Sequence, residues 1–310
     1  MLENIKKLFI SSAVICLLST FAYGSSVEQK HKEMLYPVVR VRSGKATGSG
    51  TVIYSRKDKS GNFHTFVLTN HHVVSDLIKI AKVWDPVLKR KIDKEVLGKP
   101  WVEFFEYNDL SRNVGQVAIS ANIVAYDGAE DLALLELDDN EKAAKFIAKL
   151  YPRSEIKNIH LYDEVWASGA ALGHAPVVTH GHLSYMDDVI DNYSYWMSTA
   201  LTIYGNSGGA VFRPSTRGFE FIGIPSLISV VFGSQAITHL GYFVPITRIY
   251  GFLERNFYHF IYDSRFTLEK SVILRERQIR ESLGKISAEE GVIVPQSHKG
   301  PTSGYLDLNL

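Results

Sequence analysis

The sequence predicts an all-β protein with a C-terminal helical extension. Three observations carry that expectation. Most of the apolar signal comes in short runs rich in Val, Ile, Phe and Tyr, separated by Gly, Asn, Asp and Ser, the pattern of many strands joined by turns. Longer segments with mixed apolar and charged spacing lie mainly near the C-terminus. A chain of 310 residues is long enough for one large or two medium domains with a sizeable core.

The strand-like runs are Val38 to Val41, Gly50 to Tyr54, Phe63 to Leu68, Val117 to Ala125 and Leu132 to Leu137 in the first half. In the second half they are Glu164 to Ala167, Tyr195 to Ser198, Ala210 to Phe212, Phe219 to Ile224 and Gly241 to Val244. Ten or more short strands indicate a sandwich or a barrel. Helices are predicted over Glu141 to Leu150, Ile246 to Phe260 and Leu268 to Leu283. The last twenty residues, with Pro295, Gly300, Pro301 and Gly304, read as a loose tail. The stretch 79–113, with Trp84-Asp85-Pro86, the basic cluster Lys89-Arg90-Lys91 and Trp101 to Tyr107, fits this pattern poorly and reads as an inserted surface excursion.

The N-terminus departs from the rest. Lys6 and Lys7 precede an apolar run from Leu8 to Phe21, followed by Ala22-Tyr23-Gly24. A basic flank, a short apolar core and small residues at a cleavage position describe a secretory signal peptide over 1–24, cut after Gly24. The run is too short to span a bilayer comfortably, so no stable membrane insertion is expected after cleavage. Cys16 is the only cysteine, and the bulky Ile15 before it does not suit lipoprotein processing. The mature chain would then hold no disulfide and no thiolate metal site. The expected location is periplasmic or secreted. A formal net charge of +1 gives no field that calls for nucleic acid or acidic lipid.

Gly205-Asn206-Ser207-Gly208-Gly209 could carry chemistry. A nucleophilic serine needs backbone N–H groups beside it to hold an oxyanion, and glycines let the backbone turn tightly there. The segment also matches the Gly-x-Ser-x-Gly elbow of α/β-hydrolases, which needs a helix straight after the serine. Here Ala210 to Phe212, a polar turn and Phe219 to Ile224 follow instead, which is strand, turn and strand. Upstream, Asn70-His71-His72-Val73-Val74 closes a strand. Two adjacent histidines on extended backbone point to opposite faces, so at most one faces a shared cleft and they do not form a metal pair. His180-Gly181-His182 lacks a clear third ligand, and no metal site is expected. Asp131 sits where a polar turn becomes the apolar strand Leu132 to Leu137, a place from which a carboxylate can fix an imidazole tautomer. Asp127 and Glu130 read as solvated turn residues. The chain order His, Asp, Ser is one in which this triad occurs.

Together these segments resemble the HtrA/Deg branch of the trypsin-like serine proteases, from about Val38 to Ile249. The landmarks are Gly48-Ser49-Gly50-Thr51-Val52-Ile53, Thr69 to Val74, Asp131 to Leu135 and Gly205 to Gly209. Val165 to Ser184, with Gly169, Gly173, Thr179, Gly181 and Ser184, resembles the family's strand-loop-strand, and Gly241 to Pro245 its closing strand. The resemblance implies two antiparallel six-stranded β-barrels with a triad in the cleft between them. One barrel would span 34–150, carrying His72 and Asp131, and the other 151–260, carrying Ser207. A helical or loose tail over 261–310 would follow. The histidine directly before Val-Val is the catalytic one in the family, which selects His72.

The resemblance further implies oxyanion donors at the N–H groups of Gly205 and Ser207, and Ser226 bonded to Asp131. Gly223 to Ile228 would pair with substrate, and Leu201, Thr202, Leu227 and Ile228 would contact it. It implies serine endopeptidase activity on proteins or peptides through an acyl-enzyme, with no cofactor. The alternatives are a catalytically silent protease fold acting as a binding or chaperone-like module, and a serine esterase. Departures from the family are Ala170-Ala171 where it has Asn-Pro, the long 79–113 stretch, and too few residues after Phe260 for a PDZ domain. Leu201, in place of an aspartate, and Pro225, in place of a histidine, imply an uncharged primary pocket. Asn206, unlike an aspartate, cannot pair with a freed N-terminus, so activity without zymogen cleavage is expected. Oligomeric state is not legible in the sequence.

Overall fold

A computed structural model describes residues 26–86, 89–231 and 235–289. The predicted signal peptide and the last twenty residues lie outside the described residues. The described chain divides after Arg255 into two compact units.

The first unit contains both barrels. In the N-terminal barrel, β1 (Val38–Arg42), β2 (Thr47–Lys57), β3 (Phe63–Thr69), β6 (Trp101–Asn108), β7 (Arg112–Asp127) and β8 (Leu132–Leu137) close in the order β1-β2-β3-β8-β7-β6. All its pairings are antiparallel. Alternate residues point inward: Val39, Val41, Val52, Val67, Val102, Ile123, Ala133 and Leu135 form one buried cluster. Leu132 and Leu134, facing the other way on β8, are also fully buried. That strand is covered on both faces and gives Asp131, just before it, a rigid base.

The C-terminal barrel is built from β10 (Glu164–Gly169), β11 (Val177–Ile190), β12 (Tyr193–Ser198), β13 (Ala210–Ser215), β14 (Gly218–Val231) and β15 (Gln235–Pro245). They run β13-β10-β11-β12-β15-β14, and the β13–β14 pairing closes the ring. Phe212, Phe221 and Phe243 are almost wholly buried. Phe212 and Phe221 meet edge to face at 6.2 Å, a favourable aromatic geometry. The fold is therefore the expected pair of six-stranded antiparallel barrels, and a helix, Ile246–Arg255, follows β15.

Two expectations are corrected. Glu141 to Leu150 is not a helix: it is irregular, with bends at Glu141, Lys142 and Lys145, until β9 (Lys149–Leu150) pairs in parallel with β14. Tertiary partners take its backbone groups, with Ala144 N donating to Ser55 Oγ (2.9 Å) and Ala148 N to Val52 O (2.8 Å). Helix propensity is a weak preference that such contacts override. The stretch that stands apart is also narrower than 79–113. Only the two-stranded hairpin of β4 (Ile78–Asp85) and β5 (Arg90–Leu97) stands apart, whereas Trp101 to Tyr107 lies in barrel strand β6. Its signal was obscured by Glu103, which is buried and paired with Arg40 and Arg42 of the adjoining β1.

The second unit, described to residue 289, holds a 3₁₀ turn, His259–Ile261, and a helix, Leu268–Glu289. The Arg275 guanidinium lies over the Tyr258 ring at 4.2 Å. No helix among the described residues is long and apolar enough to cross a membrane.

Candidate active site

His72 lies in a single helical turn, His71–Val74, directly after β3. Val73 and Val74 anchor that turn in the first core. The two histidines diverge. The His71 ring stacks on Tyr126 at 5.5 Å, and burial pushes its imidazole below the ordinary value. His72 Nδ1 instead lies 2.9 Å from each carboxylate oxygen of Asp131, and its backbone N–H donates to Oδ1 at 3.0 Å.

Asp131 adopts a left-handed backbone, φ 54°, which non-glycine residues hold only when their surroundings fix them. Its carbonyl accepts from Asn70 Nδ2 at 2.8 Å. Ser226 Oγ donates to Asp131 Oδ2 at 2.6 Å. Burial pushes the Asp131 carboxyl up, but the hydrogen bond and charge of His72, with the Ser226 hydroxyl, outweigh it and hold the group below its usual range.

Ser207 sits in the loop between β12 and β13. Gly205 and Gly208 take φ values of 95° and 87°, which glycine adopts without steric cost. Asn206 is buried and its side chain closes its own loop, accepting from Ile203 N at 3.3 Å. Among the described residues, neither the Gly205 nor the Ser207 N–H has a hydrogen-bond partner. The Ser207 hydroxyl donates to Ser226 O at 3.5 Å, and no bond joins it to His72. Ser226 thus touches both groups, with its carbonyl toward Ser207 and its hydroxyl toward Asp131.

Ser49, the middle residue of the Gly48-Ser49-Gly50 motif, organises the serine loop. It is fully buried on β2. Its hydroxyl donates to Gly205 O (2.6 Å) and accepts from Ala170 N (2.7 Å). Its N–H donates to Ser207 O (2.7 Å), and its carbonyl accepts from Thr69 Oγ1 (2.7 Å). Beside it, a methyl group on Gly48 would sit 2.6 Å from Val73 Cγ2 and 3.0 Å from Ser207 O. The Gly-Ser-Gly spacing was therefore the available signal: two positions that exclude side chains flanking one that hydrogen-bonds across the barrels.

The other expected residues are spread around this centre. Leu201 is half exposed, and Thr202 is buried, with its N–H on Thr238 O at 2.9 Å. Leu227 lies opposite Tyr242 in β14, beyond a bulge at Ser226. Ile228 is paired with Gly241, and its side chain lies outside the described residues. His180 and His182 share one face of β11, with His180 against Trp166 at 4.4 Å. Among the described residues no three His, Cys, Asp or Glu side chains converge as a metal site.

Two β-barrels holding a histidine–carboxylate pair on one side and a serine in a glycine loop on the other define the trypsin-like architecture. The trypsin-like peptidase domain model matches residues 48–224, more than half of the chain, and the chain belongs to that family. Among solved structures it is similar to the HtrA-type protease AlgW with tripeptide, at 20% identity and a TM-score of 0.52. It is similar also to a serine-to-alanine form of the same protein with tripeptide, at 19% identity and the same TM-score. Each match covers 73% of this chain and 62% of the other. At that identity the likeness is one of fold. No curated protein sequence matches the chain.

Proposed function

We propose that the chain is a serine endopeptidase that cleaves peptide bonds through an acyl-enzyme, with Ser207 as nucleophile, His72 as general base and Asp131 as orienting acid. The observation that carries this reading is the chain of contacts from Ser207 through Ser226 to Asp131 and His72. His72 Nδ1–H toward the carboxylate leaves Nε2 free to take the Ser207 proton as Oγ attacks the carbonyl carbon. The unpartnered N–H groups of Gly205 and Ser207 suit the developing oxyanion. His72 then protonates the leaving amine, and water, deprotonated by the same imidazole, releases the acid. The uncharged Leu201 and the buried Thr202 support a primary pocket for uncharged side chains, beside β14 residues Leu227 and Ile228. Proteins or peptides are the proposed substrates, with no cofactor, and the apolar N-terminal run supports export.

A fluorophosphonate probe tests the reading, together with a peptide library. The wild type is expected to label and to cleave after uncharged residues, and Ser207→Ala to do neither. Equal, weak labelling of both proteins would sink it in favour of a silent binding module. The absent His72–Ser207 bond is the observation that favours that second reading. Ester cleavage without peptide cleavage would make the protein an esterase.

A further inference from the structure

The turn that carries Asp131 is held from the opposite barrel. The Ile246–Arg255 helix buries Ile246, Ile249, Tyr250, Phe252 and Leu253, which leaves Arg248 and Arg255, two turns apart, on one other face. Both arginines reach Glu130, the residue before Asp131. The Arg248 fork donates through one nitrogen to Glu130 O at 2.7 Å and through the other to Ser194 O at 3.2 Å. Its guanidinium lies 4.7 Å from the ring centres of both Tyr193 and Tyr195, a half-buried cation–π setting. Arg255 pairs with the Glu130 carboxylate at 2.6 Å.

We propose that Arg248, assisted by Arg255, is a positioning residue for Asp131, so that the C-terminal barrel sets the geometry of the histidine–carboxylate pair in the N-terminal one. The Asp127–Asp131 turn is closed at its ends by the pairing of Asp127 with Leu132, and His72 and Ser226 hold the Asp131 carboxylate; the two arginines are what reach the carbonyl and carboxylate of Glu130. Asp127 caps it locally through Ala129 N and Glu130 N, and Asn70 holds the Asp131 carbonyl. A left-handed Asp131 needs an outside restraint, and the two arginines supply one on the residue before it. Arginine suits the task because its rigid fork satisfies two carbonyls at once, which a lysine ammonium does not do in the same plane. This role rests on the peptidase reading above.

The test measures kcat, KM and melting temperature for Arg248→Met, Arg248→Lys, Arg248→Ala, Arg255→Met and Arg255→Lys beside the wild type, with fluorophosphonate labelling of each. Arg248→Met is expected to lower kcat about 10- to 100-fold, the cost of an ångström-scale misplacement, with KM within about twofold. Arg248→Lys should not restore it. Added ethylguanidinium should partly restore Arg248→Ala, which a purely structural role would not show. Arg255→Met should lower kcat several-fold and Arg255→Lys recover it. A folded Arg248→Met enzyme with kcat within about twofold of wild type overturns the proposal. If that variant does not fold, an unchanged kcat in Arg255→Met overturns it instead, and a several-fold loss recovered by Arg255→Lys supports it. Wild type that labels while the variants keep full kcat leaves the peptidase reading intact. Wild type that never labels removes that reading and this role with it.

Discussion

Replacing Ser49 by alanine removes one oxygen, and the structure sets how much that costs. The hydroxyl is fully buried and serves two backbone groups, Gly205 O and Ala170 N. Each group left unpaired in a buried site costs about 1–3 kcal/mol. Two such groups predict a loss of roughly 2–6 kcal/mol of stability. For a unit of this size each kcal/mol lowers the melting temperature by about 2–4 °C, so a loss of about 4 kcal/mol predicts a fall of about 8–16 °C. The same oxygen fixes the loop that carries the proposed oxyanion donors, so kcat should fall about 10- to 100-fold while KM changes little. Urea unfolding followed by tryptophan fluorescence measures the first quantity, and initial rates on a peptide substrate the second. A Ser49→Ala protein within about 0.5 kcal/mol of wild type, the range of an ordinary surface change, would refute the reasoning from burial and pairing.

Other outcomes follow from the same geometry. His64 lies between Glu136 (2.6 Å) and Asp58 (3.2 Å). The Glu136 hydrogen bond raises its imidazole above 6.5 against the effect of burial, with Asp58 helping. Its stabilisation should be complete below the unfolded value and vanish as pH rises through the higher native one; urea midpoints of wild type, but not of His64→Gln, should fall across that window. Asp131 is held below 3.8, so its contribution should be present above that value and fade as pH drops through the lower native one. Asp131→Asn should flatten that acid limb in melting curves and, by presenting the wrong partner to His72, lower kcat by about 10⁴. Gly208 and Gly61 both have left-handed φ, but a methyl group on Gly208 would sit 2.1 Å from Ser49 O whereas one on Gly61 meets nothing within 4 Å. Gly61→Ala should cost only the backbone strain of about 1–2 kcal/mol, and Gly208→Ala considerably more, as differential scanning calorimetry would show; equal costs would mean the serine loop yields readily.

Sequence by itself determined what short-range physics encodes. Short runs rich in Val, Ile, Phe and Tyr between turn residues marked ten strands, because strand preference and turn chemistry act over a few neighbouring residues. Glycines at 205 and 208 marked a turn because few other residues take those angles. His71 and His72 stand in a helical turn and not on the extended backbone expected of them, so strand alternation did not separate them; the resemblance, and then the position of Asp131 in space, chose His72. Tertiary structure alone decided matters that depend on partners far along the chain. Glu103 belongs to a barrel strand because Arg40 and Arg42, some sixty residues earlier, neutralise it. Residues 141–150 are not helical because Ser55 and Val52 claim the N–H groups of Ala144 and Ala148. Ser49 and Arg248 bear on the site only because barrel closure brings β2 against the serine loop and the Ile246–Arg255 helix against Glu130. No local pattern carries such pairings, since their free energy is realised only after the intervening chain has folded.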